Sequence, residues 1–145
     1  MDRREWMIGT MAAAAAFAGA AQAAGEHDHH AHHGPGKYAA LTRAAADCLP
    51  VGEECLNHCL DSLATGDKEL GACAKSVNQM MAVCDAIARL AAQNSNYTPK
   101  MAVLAAQVCK DCEDECRKHA KKHAQCKACA DACAACLKEC KAVAA

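Results

Sequence analysis

Thirteen cysteines punctuate the chain at positions 48, 55, 59, 73, 84, 109, 112, 116, 126, 129, 133, 136 and 140. Most neighbours are three, four, seven or eleven residues apart, steps that at about 100° per residue return to nearly the same face of an α-helix. Cys126, Cys129, Cys133, Cys136 and Cys140 keep within a stripe of roughly 80° on one helix. Cys109, Cys112 and Cys116 form a second stripe, and Cys48, Cys55 and Cys59 a third. Cys73 and Cys84 share a fourth with Met80 between them. Each stripe takes the positions where a bundle would place Leu. The chain has only four aromatic residues, Trp6, Phe17, Tyr38 and Tyr97. Large rings supply much of the contact area of an ordinary core, so here sulfur must fill the interior.

The segment around these stripes reads as helical, rich in Ala, Leu, Lys and Glu and poor in β-branched residues. Thr65-Gly66-Asp67 supplies a glycine past one helix and an Asp cap for the next. Asn94-Ser95-Asn96-Tyr97-Thr98-Pro99 ends in a Thr cap with Pro at the first helical position. A softer break falls within residues 118–125. Helices are therefore predicted near 38–64, 67–94, 99–120 and 124–143, with Pro50 expected to kink or split the first after Leu49. Connections this short make neighbours antiparallel. The predicted fold is all-α, an antiparallel up-down-up-down four-helix bundle with a cysteine-lined core.

Residues 1–23 read as an export signal, with paired Arg3 and Arg4 before an Ala-rich apolar run and a small-x-small end at Ala21-Gln22-Ala23. That run is too short and too weakly apolar for a spanning helix. Cleavage is expected after Ala23, with Ala24 the near alternative. The twin-arginine route carries folded proteins, so a reduced thiol core can be assembled before it meets an oxidising compartment. The mature protein is expected in the periplasm or another extracytoplasmic compartment, without insertion into the membrane. Residues 24–37 form a His-rich linker, and 38–145 the bundle domain. The net charge of −1 carries no footprint for nucleic acid.

Several chemistries could explain thirteen thiols. Inert filler would use one or two buried cysteines, not four periodic stripes. A disulfide scaffold conflicts with the odd number and with side chains that point the same way along one helix. Iron–sulfur clusters favour compact loops over a continuous helix. Zinc, with four thiolates in a tetrahedron, is the serious rival. A dication sharing thirteen thiolates would form few sites and leave the core strongly anionic. Copper(I) is soft, singly charged and content with two or three thiolates. One Cu(I) per cysteine leaves the core near neutral, and Cβ atoms about 5–6 Å apart at i, i+3 and i, i+4 suit bridging along one helix. Charge balance therefore favours copper(I) at high stoichiometry.

With C-L-N-H-C at 55–59, C-K-D-C-E-D-E-C at 109–116 and C-K-A-C-A-D-A-C-A-A-C-L-K-E-C at 126–140, the chain resembles the bacterial copper storage proteins, in their exported branch. The resemblance implies many Cu(I) ions along the axis of a four-helix bundle, held mainly by Cys, and a homotetramer. Exported relatives in methane-oxidising bacteria are thought to hold copper for the membrane-bound methane monooxygenase, which makes a copper-accepting protein an expected partner. Exported relatives can carry methionines near the end of the first helix; Ser62-Leu63-Ala64-Thr65-Gly66 has none.

The expected ligands are the thirteen cysteines together with His58, whose alternative is a solvated histidine near a helix C-terminus. His119 continues the Cys112–Cys116 stripe but is read as part of a solvated, Lys-rich end. Met80 is core filler or a thioether ligand. His27, His29, His30, His32 and His33 form a separate tract. Cleavage after Ala24 would create a free amine followed by Gly25-Glu26-His27, a square-planar nitrogen site for Cu(II) or Ni(II). The expected role is a metal store and not a catalyst, since no nucleophile–base pair or phosphate loop is present. A zinc or heavy-metal buffer of metallothionein-like chemistry and a copper chaperone are the alternatives.

Overall fold

A computed structural model describes residues 36–144; the export signal and the histidine tract lie outside the described residues. Four helices make up the fold: α1 (Ala39–Ala64), α2 (Gly71–Ala92), α3 (Thr98–His119) and α4 (Ala124–Ala144). Each packs on its neighbours in sequence, and α4 closes the ring onto α1. With 21 to 26 residues per helix, the bundle is roughly 30–40 Å long at 1.5 Å rise per residue. This is the expected antiparallel four-helix bundle, with no strand among the described residues. No helix of the described residues is long and apolar enough to cross a membrane.

The helix ends follow local chemistry. Gly66 (φ +95°) closes α1, with Gly66 N–H donating to Leu63 O and Asp67 N–H reaching back to Ser62 O. That pair of bonds satisfies carbonyls the last turn would otherwise leave unpaired. Asn94 (φ 51°) does the same for α2, with Ser95 N–H donating to Leu90 O. The expected start of α2 at residue 67 is corrected to Gly71. Asp67 does not cap the helix; its carboxylate accepts from Glu69 N–H at 3.0 Å and holds a local turn. Thr98 is likewise no cap: it lies inside α3 with its hydroxyl buried and unpartnered, while Ser95 Oγ accepts from Tyr97 N–H.

Pro50 does not split α1, which runs unbroken from Ala39 to Ala64. The missing N–H deprives only the Ala46 carbonyl, and Ala46 and Pro50 both face solvent, where water can take that role. Buried Leu41, Ala45, Cys48, Gly52, Cys55 and Cys59 pack on both sides of it and outweigh one lost bond. Two residues on, α1 comes very close to α2. A Cβ at Gly52 would stand 2.7 Å from Met81 Cγ and 2.9 Å from its sulfur. Gly52→Ala gains about 1 kcal/mol of helix propensity but meets an overpacking cost of roughly 1–3 kcal/mol. A lower urea midpoint for the reduced, metal-free protein is expected, restored by adding Met81→Ala. A single variant as stable as the parent would show that Met81 swings aside freely.

Candidate metal centre

The inward stripes place all thirteen cysteines in the core, each fully buried. None is joined in a disulfide. Among the described residues, the fully buried side chains larger than cysteine are Leu41, Leu70, Met80, Ile87, Val77 and Thr98. Met80 sits on the cysteine face as its spacing predicts, buried between the turns that carry Cys73 and Cys84.

Antiparallel packing gives the interior two unlike ends. At one end, Cys140 near the end of α4 is the sole thiol. Leu41 and Ala45 of α1, Ile87, Ala88 and Ala91 of α2, and Ala102 and Ala105 of α3 fill the core there. At the other end, Cys59, Cys73, Cys116 and Cys126 lie within a few residues of the helix termini. The sulfur column is thus stoppered by apolar side chains on one side and reaches the helix ends on the other.

Within the column, sulfurs approach chiefly across helices. Cys73 and Cys116 are 3.5 Å apart, Cys84 and Cys109 3.7 Å, Cys55 and Cys126 3.9 Å, Cys73 and Cys126 3.9 Å, and Cys112 and Cys129 4.0 Å. Along one helix, Cys136 and Cys140 are 3.9 Å apart, and Cys55–Cys59 and Cys129–Cys133 lie within 4.8 Å. Thiols thus meet both along single helices and between them. Spacing along a helix shows which face a sulfur takes; the partner depends on how the helices align, which spacing does not reveal. Four groups bring thiols within 4.8 Å of one another: Cys55–Cys59–Cys73–Cys126, Cys48–Cys84–Cys136, Cys55–Cys116–Cys129 and Cys112–Cys129–Cys133. Cys55 and Cys129 each belong to two groups, so three of the four are linked, and Cys48–Cys84–Cys136 stands apart from them.

Mutual contact and burial reshape the acidity of the thiols. Burial, then the nearby charges of Cys73 and Cys55, pushes Cys59 well above the ordinary 9.0. Burial and the same kind of neighbours, Cys55 and Cys73, raise Cys126. Deeper in, hydrogen bonds divide the work unequally. Cys48 is drawn down to about 5, first by its contact with Cys109. Cys112 is drawn down by Cys116, and Cys116 is pushed up by the same contact. A dry thiol column holds most of its protons, because adjacent thiolates repel where no cation separates them.

Three histidines meet at the thiol end. His58 Nε2 lies 2.8 Å from His123 Nδ1, and the rings of His119 and His123 are 6.4 Å apart. One of the first pair must be unprotonated at the shared contact, since two imidazoliums would offer only donors. His119, read from sequence as solvated, is instead mostly enclosed, its side chain 14% exposed. Its Nε2 is buried without a hydrogen-bond partner, and Glu115 stops at 3.8 Å. His123 carried no signal in sequence beyond its place near the turn. It reaches His58 because α4 starts there, with Lys127 N–H donating to the His123 carbonyl. Arg117 ties this end together across α3 and α4 through Asp131 at 2.6 Å.

Comparison with solved structures places this arrangement among known bundles. The Cu(I)-bound copper storage protein BsCsp3 is 28% identical, with a TM-score of 0.69 over 75% of this chain and 100% of that one. Ccsp from Streptomyces lividans, loaded with 10 copper equivalents, is 28% identical, with a TM-score of 0.67 over 74% of this chain and 83% of that one. A cytosolic copper storage protein from Streptomyces lividans holding five coppers is 28% identical, with a TM-score of 0.67 over 74% of this chain and 91% of that one. A search of curated proteins gives no match. The family model described as copper storage protein matches residues 35–145. A bundle whose core is a stoppered column of thirteen free thiols is thus accounted for: the chain belongs to the copper storage protein family.

Proposed function

We propose that this chain stores many Cu(I) ions inside its bundle, about one per cysteine. The observation that carries this is the set of thiol groups in an interior with almost no other large side chains. The ligands would be Cys48, Cys55, Cys59, Cys73, Cys84, Cys109, Cys112, Cys116, Cys126, Cys129, Cys133, Cys136 and Cys140. Groups of three thiols suit a soft monocation that accepts two or three sulfurs. Each ion replaces a thiol proton, so filling leaves the column neutral as it goes. Ions pass in at the histidine end, because the opposite end is closed by Leu41, Ile87 and their neighbours. His58 would ligate copper at that mouth, with His119 and His123 beside it.

Anaerobic titration of the reduced protein against a chromogenic Cu(I) chelator tests the proposal. Retention close to one copper per cysteine is expected. An endpoint of one or two ions would indicate a chaperone, and weak copper retention would remove the storage role. Thiols held protonated, such as Cys59 and Cys126, must release protons on loading. Affinity is therefore expected to fall as the pH is lowered, by about tenfold per unit for each proton displaced; a pH-independent endpoint and affinity would mean that thiolates are not the ligands.

The Arg3-Arg4 leader supports export by the twin-arginine route, in contrast to the cytosolic setting of the Streptomyces lividans protein. In that setting a homotetramer of bundles would act as a copper reserve for an extracytoplasmic acceptor such as a methane monooxygenase.

A further inference from the structure

The thiol groups are not equivalent. Three offer three sulfurs each, whereas the group at the histidine end offers four: Cys55 and Cys59 from α1, Cys73 from α2 and Cys126 from α4. All four sulfurs lie within 4.8 Å of one another, and two of the six edges, Cys55–Cys126 and Cys73–Cys126, measure 3.9 Å. A zinc ion bound to four thiolates at about 2.3 Å requires edges of about 3.8 Å. The remaining edges therefore need to contract by at most about 1 Å for a regular tetrahedron to form. Among the described residues no other group combines four sulfurs at such spacing.

We propose that Cys55, Cys59, Cys73 and Cys126 form a tetrahedral site for a single divalent d¹⁰ cation, zinc above all, in the copper-free protein. Charge, which disfavours zinc throughout the column, is tolerable here. The site lies at the end of the column, where His58, His119, His123, Lys118, Lys121 and Lys122 cluster around the helix termini. A tetrathiolate there has imidazole groups and the Lys121 and Lys122 side chains of the α3–α4 turn at the same end of the bundle, which the deep groups lack. The deeper groups, with three sulfurs, leave a divalent ion short of one ligand. Zinc would thus occupy the mouth alone, giving up its thiolates when Cu(I) arrives with higher affinity for sulfur. Binding is ligand exchange without redox change: thiol protons leave as zinc–sulfur bonds form. The zinc site stands independently of copper storage, since four sulfurs at one end suffice for it.

Anaerobic titration of the reduced, metal-free full chain with Co(II), followed by Zn(II), tests the site. One equivalent of Co(II) is expected to produce the intense visible bands of tetrahedral cobalt–thiolate, and one equivalent of Zn(II) to bleach them. Cys126→Ser should abolish these bands. Cys136→Ser, which removes a sulfur from a deep three-thiol group, should keep them. If Cys126→Ser fails to give the helical far-UV spectrum of the parent, Cys59→Ser takes its place with the same expectation. Absence of tetrahedral bands, uptake of several equivalents alike, or equal loss in Cys136→Ser would overturn the proposal. None of these outcomes alters the copper endpoint of the parent protein, so a failed zinc site and a failed copper store are told apart.

Discussion

Loading the reduced protein with Cu(I) is expected to raise its thermal unfolding midpoint by tens of degrees, and stripping the metal should restore the original value. A ligand that binds only the native state adds about 4 kcal/mol when its free concentration is a thousand times its Kd. In a domain near 100 residues, each kcal/mol moves the midpoint by roughly 4–8 °C. One filled site therefore accounts for a large shift, and the column offers four groups. The unfolded chain keeps its cysteines and binds some copper, which reduces the gain without cancelling it, because only the bundle gathers sulfurs from different helices. Differential scanning of metal-free, half-filled and filled samples provides the check. A midpoint that does not move with copper would mean that the ions bind outside the core or equally well to unfolded chain.

Much of this design is legible along the chain. Steps of three, four, seven and eleven residues are enough to place Cys126 through Cys140 on one buried face, and the turn at Thr65-Gly66-Asp67 is readable from its glycine. What spacing does not convey is the pairing between helices. Cys73 meets Cys116 and Cys126, on α3 and α4, because α2 packs at a particular height beside them. That height is set by contacts such as Gly52 against Met81, to which no periodicity points. The histidine cluster is hidden for the same reason: His58 and His123 are 65 residues apart in sequence and 2.8 Å apart in space. Pro50 errs in the other direction. Its local preference is real, but a buried stripe of six residues on α1 outweighs the loss of a single solvent-side hydrogen bond.

The second large effect concerns the apolar stopper. Leu41 and Ile87 are fully buried at the end of the bundle poorest in thiols, and among the described residues they are two of five large apolar side chains so enclosed. Cysteine packs as a small apolar residue, so the column itself contributes less buried area per position than Leu would. The metal-free fold must then lean on these few side chains. Truncating either Leu41 or Ile87 to Ala is expected to cost about 2–5 kcal/mol, against a total of about 5–15 kcal/mol for a domain of this kind. The double variant should lose cooperative urea unfolding when reduced and copper-free. Loaded with Cu(I), it should regain a sharp transition, because metal–thiolate bonds then tie all four helices together. Its copper endpoint should match that of the parent, since no sulfur has been removed. A double variant as stable as the parent without metal would show that packed thiols alone hold the bundle. Loss of copper capacity despite a folded bundle would show instead that the stopper shapes the deepest sites, and that the column depends on its closed end to keep copper in place.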